Sequence, residues 1–337
     1  MSARAGGEPT EEQVRPIREQ LPVLPADEAS VLGSRELFGR LAATAMLAAT
    51  ERAVRDWRPD LILRDPCEHA SAVAAARLGI PVAQVAIGLA EGEWDSIGAA
   101  APVLEAHRAG LCAELRRSPY LSRFPAALDP SPFPGTRRYR EPAAAPRGAL
   151  PAWWPGTDAP LVYVSFGTVL GHMSFAAEVY RAVIDAVTGL GARVLLTTGP
   201  GFEPSRLRDL PGNVHVEAWV DESGVLAEAG LVVCHGGSGT TYGALAAGIP
   251  LVVVPVFADQ FANAAAVARS GAGIQIRVTK DSGECRRPVG REDAPRIRQA
   301  IETVLADGSY RQAAQAVAVE MAAAPPIGML LERLPHA

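Results

Sequence analysis

The feature that most constrains the fold of this chain is the stretch from residue 231 to residue 262, LVVCHGGSGTTYGALAAGIPLVVVPVFADQFA. Residues 231–234 have the length and the apolar character of a buried strand, and they end in the loop 235–239. Helix formers follow Thr240, and a second apolar run follows the glycine–proline turn at residues 248–250. This order predicts a strand, a glycine-rich loop, a helix and a further strand, which is the βαβ unit of a parallel sheet.

The glycine-rich loop has the properties of an anion-binding site. Its glycines allow the backbone to approach a ligand closely, and hydroxyl groups in the first helical turn can cap free amides. The helix N-terminus also presents about half a positive charge to a bound anion. The loop therefore predicts binding of a diphosphate. Asp259 and Gln260 lie just beyond the second predicted strand, at the carboxyl edge where open α/β sheets bind their ligands.

Three functions are compatible with this loop taken alone. The first is an ordinary βαβ turn with no ligand. The second is a nicotinamide dinucleotide site, because Gly237, Gly239 and Gly243 give a G-x-G-x-x-x-G pattern and Asp259 lies at roughly the expected distance. The third is a nucleotide-sugar site, in which His235 and hydroxyl groups hold the diphosphate and Asp259 binds the sugar. The dinucleotide fingerprint normally opens its domain, whereas predicted strands and helices already precede this loop.

Composition excludes several other classes of protein. The chain has 337 residues, of which 48% are hydrophobic, enough for two domains. A net charge of −5 argues against a nucleic-acid or membrane-surface binder. The 4 cysteines form no C-x-x-C pair, which indicates neither a zinc site nor a disulfide framework. No signal peptide and no apolar run of about 18 residues is visible. We therefore expect a globular cytoplasmic protein that binds small molecules, without nucleic acid or a membrane span.

The chain divides into two α/β halves with irregular segments around them. Residues 1–33 are polar and proline-rich, which predicts an arm without regular structure. Residues 34–125 predict a partial N-terminal domain, and the prolines of residues 126–158 predict a linker. Residues 159–325 alternate strand and helix, typical of a parallel sheet covered on both faces, and residues 326–337 are expected to form a tail. The strands predicted in this second half are residues 161–165, 193–197, 214–219, 231–234, 251–254 and 274–278.

Two features of the first half are candidates for a functional role. Asp65 follows a short predicted strand at residues 61–63, and therefore lies at the carboxyl end of that strand. Acidic side chains also crowd around Trp94 in residues 88–96, which is consistent with a wall of an acceptor pocket or with a solvated acidic loop. The sequence leaves both alternatives open. A helix predicted to begin near Ser34 and to end near Trp57 precedes these features.

Five motifs of the second half connect the chain to a known family. They are VYVSFGT at 162–168, EAWV at 217–220, HGGSGTT at 235–241, GIPLVVVP at 248–255 and DQFANA at 259–264. In this order and spacing they resemble the donor-binding half of family 1 glycosyltransferases, which have the GT-B fold of two Rossmann-like domains with parallel sheets. The resemblance is to the bacterial enzymes that decorate macrolides and other natural products, and it outweighs the dinucleotide interpretation.

The resemblance implies a role for each residue of the site. Trp219 would stack on the base, Val220 would offer backbone hydrogen bonds to its edge, and Asp259 with Gln260 would recognise the sugar. The residues that would hold the diphosphate lie in two facing loops: Ser165, Gly167, Thr168, His235, Gly237, Ser238, Gly239 and Thr240. Structural alternatives remain, because Trp219 could belong to the core, Ser165 could cap a strand end and Asp259 could be a helix N-cap.

The implied reaction is inverting transfer of a sugar, expected to be a deoxysugar, from a dTDP- or UDP-sugar to a hydroxyl of a hydrophobic aglycone. The developing diphosphate charge would be stabilised by the helix N-terminus, His235 and hydroxyl groups. The D-x-D pair of metal-dependent transferases is absent from the sequence, so neither a metal nor a cofactor is expected. A homodimer is compatible with the resemblance, but the sequence does not determine the oligomeric state, the sugar, the nucleotide or the aglycone.

The resemblance covers about residues 34–325 and fails at the front of the chain. Related enzymes open with a strand and a Gly-His loop, whose histidine is the general base and is oriented by an aspartate. Asp65 matches that aspartate, but residues 1–33 contain no histidine. We therefore expect an incomplete N-terminal domain, arising from truncation or from natural variation. A non-catalytic nucleotide-sugar-binding or auxiliary protein is then the main alternative, followed by an NAD(P)-binding protein. His69 is a candidate substitute base, although a histidine at a helix start is more often a cap or a surface residue.

Overall fold

The computed structural model describes residues 8–21, 24, 26–142, 150, 151, 153, 158–277 and 289–334. The chain divides into two compact α/β units, Met1–Glu141 with Ala324–Ala337 and Pro142–Ala323. Each unit is built on a parallel sheet and has its own apolar core. The predicted fold class, α/β with parallel sheets, is therefore confirmed. Within the described ranges, no helix is long and apolar enough to span a membrane.

The first unit places helices around a sheet that has four strands among the described residues. Its elements are α1 (Glu11–Gln20), α2 (Ala26–Leu32), a π-helical segment (Gly33–Ala42), α3 (Ala43–Trp57), β1 (Ile62–Arg64), α4 (Ala70–Leu78), β2 (Val82–Val85), α5 (Ala90–Ala99), α6 (Ala101–His107), α7 (Leu111–Arg117), β3 (Tyr120–Ser122) and β4 (Thr136–Arg138). The strands are parallel in the order β1-β2-β3-β4.

The prediction of an unstructured arm over residues 1–33 is wrong where α1 and α2 form. The Thr10 hydroxyl accepts a hydrogen bond from the Gln13 amide, and the Gln13 side chain accepts one from the Thr10 amide. This capping box starts α1 despite the prolines in the segment. α2 continues directly into the π-helical segment and α3, so Ser34 is buried within a continuous helical stretch instead of starting a helix. As predicted, α3 ends at Trp57, where Arg58 adopts a left-handed conformation with φ of 52°.

The second unit alternates strands and helices as predicted. Its elements are β5 (Leu161–Ser165), a 3₁₀ turn (Leu170–His172), α8 (Ala176–Val187), β6 (Arg193–Thr197), a 3₁₀ turn (Pro204–Arg206), β7 (Val214–Glu217), α9 (Glu222–Glu228), β8 (Ala229–Cys234), α10 (Ser238–Ala246), β9 (Leu251–Val253), α11 (Gln260–Arg269), β10 (Gly273–Gln275), a 3₁₀ turn (Arg291–Asp293), α12 (Ala294–Ala306) and α13 (Gly308–Ala323). Within the described residues its strands are parallel in the order β10-β9-β8-β5-β6-β7.

The order of these strands creates a crevice at the middle of the second sheet. β5 and β8 are hydrogen-bonded neighbours, and every residue of β5 is buried. The chain proceeds from β5 toward β6 and β7 on one side, and from β8 toward β9 and β10 on the other. Connections that leave in opposite directions open a crevice at the carboxyl ends of the two strands, the usual ligand site of such sheets. The loops after Ser165 and Cys234 meet at this position.

The predicted linker and tail are both partly wrong. β4 lies within the predicted linker and pairs with β3, so residues 126–141 belong to the first unit. The rest of the predicted linker lies partly outside the described residues. The end of the chain forms α14 (Ile327–Leu331), whose Leu330 joins a buried cluster with Leu121 of the first unit. Burial of these apolar side chains explains why the predicted tail is folded.

Candidate functional site

The ring of His235 lies between the two loops that meet at the crevice of the second unit. A Cβ atom added to Gly167, in the loop after β5, would lie 2.9 Å from Cε1 of His235, and one added to Gly237 would overlap the same ring. Gly167 also has a φ of 70°, a conformation that side chains other than glycine rarely adopt. These two glycines are therefore required by the close approach of the imidazole.

The position of His235 determines its protonation. Burial lowers its pKa, and the Ser165 backbone and the Asp259 carboxylate oppose this shift. The neutral ring is therefore favoured near neutral pH, and its buried Nδ1 has no hydrogen-bond partner among the described residues. Nε2, by contrast, lies beside both loops, 3.0 Å from a Cβ atom added to Gly167, and a neutral imidazole can use this nitrogen for a hydrogen bond with a ligand.

The N-terminus of α10 opens into the same crevice. The first hydrogen bond of the helix runs from the Thr241 amide to the Gly237 carbonyl, so the amides of residues 238–240 precede it and are available to an anion. A Cβ atom added to Gly239 would have no neighbour within 4 Å, which indicates open space in front of this turn. The Thr240 hydroxyl instead hydrogen-bonds the Glu222 carboxylate. Burial raises the pKa of Glu222, and this hydrogen bond opposes the increase. The backbone amides are thus the better anion ligands.

Asp259 is joined to the glycine-rich loop through a residue that the sequence analysis missed. Its Oδ2 accepts hydrogen bonds from Ser238 Oγ at 3.1 Å and from Asn263 Nδ2 at 3.0 Å. Asn263 is buried and also donates to the Gly236 carbonyl at 2.7 Å. Asn263 belongs to the DQFANA motif and lies four residues after Asp259, one turn along α11, but the motif alone assigns it no role. The residues predicted to bind phosphate and sugar therefore form one network.

Gln260 has a structural role that the resemblance does not imply. It is 3% exposed, and its Oε1 accepts hydrogen bonds from the amides of Val256 and Phe257 at 2.8 and 3.0 Å. These bonds hold the loop that presents Asp259. Asp259 itself is exposed and lies at the N-cap position of α11, as the alternative expected, but its side chain makes no capping hydrogen bond.

Trp219 follows β7 at the same edge of the sheet. Its side chain is 70% exposed, which rules out the alternative that it belongs to the core. β7 is two strands away from β5, about 10 Å at the usual strand spacing. The region between Trp219 and the loop after β5 therefore has the scale of a nucleoside. Val220 is half-buried beside it.

The loop after β5 combines buried and exposed members of the predicted site. Ser165 is buried, and its Oγ accepts a hydrogen bond from the Gly167 amide at 3.4 Å, which supports the alternative of a strand-end cap. Thr168 is exposed next to Gly167. The structure thus brings Ser165, Gly167 and His235 together, and Thr168 is the exposed residue that follows them in the loop.

In the first unit, Asp65 directly follows β1 as predicted. It is half-buried, and its Oδ1 accepts a hydrogen bond from the Cys67 amide at 2.7 Å. Arg64 is buried beneath this turn and donates to Gln84 Oε1 at 2.8 Å and to the Glu68 carbonyl. Hydrogen bonds to a buried cation therefore fix the backbone that carries Asp65.

His69 does not meet the requirements of a substitute base. It is 1% exposed, and burial together with the nearby Arg64 guanidinium lowers its pKa to about 3. A general base must reach the hydroxyl that it deprotonates and must hold the proton near neutral pH. The buried, weakly basic ring of His69 does neither.

The alternative of a solvated acidic loop at residues 88–96 is only partly correct, because Glu91 and Asp95 are exposed but the segment is not a loop. Most of this segment forms α5, and Glu93 is 4% exposed. Its Oε1 accepts hydrogen bonds from the amides of Ile87 and Gly88 at 2.8 and 2.6 Å, while Oε2 accepts one from the Tyr120 hydroxyl at 2.6 Å. Burial raises the pKa of Glu93 to about 7. Sequence reasoning missed this role, because no local pattern marks a buried glutamate.

Comparisons with known proteins agree with this architecture. Residues 24–129 match the family model of the erythromycin biosynthesis protein CIII-like N-terminal domain, and residues 181–334 match that of the C-terminal domain. L-demethylnoviosyl transferase of Streptomyces niveus is 32% identical over 294 residues, which cover 86% of this chain and 74% of the relative. Elloramycin glycosyltransferase ElmGT of Streptomyces olivaceus is 34% identical over 264 residues, which cover 72% of this chain and 62% of the relative.

The structure also resembles a solved glycosyltransferase with ligands bound. Spinosyn rhamnosyltransferase SpnG complexed with thymidine diphosphate has a TM-score of 0.73 at 26% identity, over 96% of this chain and 82% of that chain. Its complex with the spinosyn aglycone has a TM-score of 0.72 at 27% identity, over the same shares of both chains. These matches overrule the dinucleotide interpretation of the glycine-rich loop. The chain belongs to the erythromycin biosynthesis protein CIII-like family of natural-product glycosyltransferases, which are family 1 enzymes with the GT-B fold.

Proposed function

We propose that this protein transfers a deoxysugar from a dTDP-sugar to a hydroxyl of a hydrophobic natural-product aglycone, with inversion and without a metal. The observation that carries the proposal is the crevice of the second unit, where the first amides of α10 and the ring of His235 lie between the same two loops. The thymidine diphosphate complex of SpnG supports the choice of nucleotide. We also propose a cytoplasmic location, because the cysteines of the sequence indicate no disulfide framework.

The proposed donor pose follows the carboxyl edge of the second sheet. The base stacks on the exposed face of Trp219, and the Val220 backbone hydrogen-bonds its edge. The diphosphate lies between the loop of Gly167 and Thr168 and the first turn of α10. The sugar reaches Asp259, whose Oδ1 has no hydrogen-bond partner among the described residues.

The reaction forms a bond between the acceptor oxygen and the anomeric carbon, and it breaks the bond from that carbon to the diphosphate. The proton of the acceptor hydroxyl passes to the Asp65 carboxylate, because residues 1–33 contain no histidine and His69 is buried. Negative charge develops on the departing diphosphate, where the α10 amides and His235 stabilise it by hydrogen bonding. This set of neutral donors takes the place that a cation has in metal-dependent transferases.

Donor turnover tests the proposal. The purified protein is incubated with TDP-rhamnose and a panel of polyketide aglycones, and TDP and glycoside are quantified by chromatography and mass spectrometry. We expect equal amounts of both products, with loss of transfer in Asp65→Asn at unchanged TDP affinity. TDP binding without transfer to any acceptor would favour the non-catalytic alternative. Preference for UDP or NADP⁺ in calorimetric titration would contradict the proposed donor.

A further inference from the structure

The Asp259 carboxylate is held beside the first turn of α10. Its Oδ2 accepts a hydrogen bond from the hydroxyl of Ser238, the first residue of that helix, at 3.1 Å. Asn263, which is 2% exposed, donates to the same oxygen at 3.0 Å and to the Gly236 carbonyl at 2.7 Å. The carboxylate is thus attached at two points to the loop that receives the diphosphate in the proposed pose.

The charge of Asp259 is not neutralised locally. Both hydrogen-bond donors are uncharged, and among the described residues no cation pairs with this carboxylate. Its influence extends into the crevice, because it opposes the decrease in the His235 pKa that burial causes. A ligand bound at His235 and α10 therefore experiences a fixed negative charge at one end of the site.

The donor and the product of the reaction respond to this charge differently. In a nucleotide sugar the terminal phosphate is an ester, and the sugar places hydroxyl groups next to the carboxylate. In the free nucleoside diphosphate the same phosphate has an additional ionisation, with a pKa of about 6, so it carries about one more negative charge at pH 7. Asp259 accepts hydrogen bonds from the first ligand and repels the second.

We propose that Asp259 makes the site discriminate between the nucleotide sugar and the nucleoside diphosphate, and thereby promotes product release. The inference rests on the proposed function and extends it, because sugar recognition alone does not predict repulsion of the product. Removal of the charge is expected to shift the two affinities in opposite directions. Between exposed charges a few ångströms apart the effect is about 5-fold at low ionic strength, and it decreases as salt is added.

The test is calorimetric titration of the wild type and of Asp259→Asn with thymidine, TDP and TDP-rhamnose at low and high salt. We expect the variant to bind TDP about 5-fold more tightly, TDP-rhamnose more weakly and thymidine equally. The gain for TDP should shrink at high salt. In turnover assays, inhibition by TDP should strengthen by a similar factor.

Two further variants make the result specific. Glu228→Gln changes the net charge of the protein by the same amount, but it lies where α9 leads into β8, at the amino edge of the sheet, so it should leave all three affinities unchanged. Asp259→Ala removes the carboxylate without an amide in its place, and should show the same gain for TDP. Weaker or unchanged TDP binding in both Asp259 variants, or an equal gain in Glu228→Gln, would overturn the inference. If the wild type bound thymidine but neither nucleotide, the proposed function would itself fail.

Discussion

Replacement of Gly167 by alanine tests the contact on which the crevice depends. The new methyl group would lie 2.9 Å from Cε1 and 3.0 Å from Nε2 of His235, closer than carbon atoms approach in proteins. The residue would also keep a φ of 70°. The left-handed conformation costs about 1–2 kcal/mol and the overpacking about 1–3 kcal/mol, so we expect the free energy of unfolding to fall by about 2–5 kcal/mol.

Gly189 provides a matched control for the backbone contribution. It has a φ of 68°, but an added Cβ would meet nothing within 4 Å. Gly189→Ala should therefore lose only the conformational part, about 1–2 kcal/mol, and should bind TDP like the wild type. Gly167→Ala should also displace the imidazole, which weakens TDP binding about tenfold if His235 hydrogen-bonds the diphosphate.

Urea denaturation and calorimetric titration measure both effects. In a His235→Ala background the overlap is absent, so Gly167→Ala should then cost no more than Gly189→Ala. Equal destabilisation by the two glycine replacements in the wild-type background would refute the packing argument. Unchanged TDP affinity of a folded Gly167→Ala protein would refute the role of His235 in the site.

Three other predictions concern residues that the structure places clearly. Trp219→Ala should weaken TDP binding by about 1–3 kcal/mol without loss of stability, and unchanged affinity in calorimetry would locate the base elsewhere. Arg64→Met leaves the oxygens that it binds unpaired and should lower the free energy of unfolding in urea by about 2–4 kcal/mol; a smaller loss would mean that water replaces the guanidinium. Glu93 has a folded pKa above its unfolded value, so its contribution to stability should decrease as pH rises from 4.5 to about 7. Glu93→Gln should remove this slope in urea denaturation over that range, and a parallel pH profile of variant and wild type would contradict the assignment.

The second unit could be predicted closely because its sheet is covered on both faces. Strands with two buried faces are continuous apolar runs, and the predicted strands 161–165 and 193–197 coincide with β5 and β6. The first unit was harder to predict from its sequence. β4 has three residues and lies among prolines, so composition suggested a linker where pairing with β3 extends a sheet. Propensity summed over a short segment is too weak to reveal a strand that long-range pairing stabilises.

The candidate site was likewise predictable from the sequence only in part. The sequence indicated a glycine-rich loop next to His235, because close backbone approach and left-handed turns require glycine whatever the surroundings. It did not indicate that Gln260 hydrogen-bonds the backbone of its own loop. Nor did it indicate that Asn263 joins the glycine-rich loop to Asp259. Each of these contacts depends on side chains brought together from separate turns of the chain. The assignment of the site residues to the phosphate and the sugar stays a prediction.

The sequence by itself determined the alternation of strand and helix in the second unit, the position of the glycine-rich loop and the family resemblance. These follow from local periodicity and from the few residue types that special backbone conformations tolerate. Only the tertiary structure decided that β5 lies beside β8, that His235 is held between their loops, and that the Asp259 carboxylate sits at the start of α10. Strand order and burial decide these contacts, since they join residues far apart in the chain for which no local pattern specifies a partner.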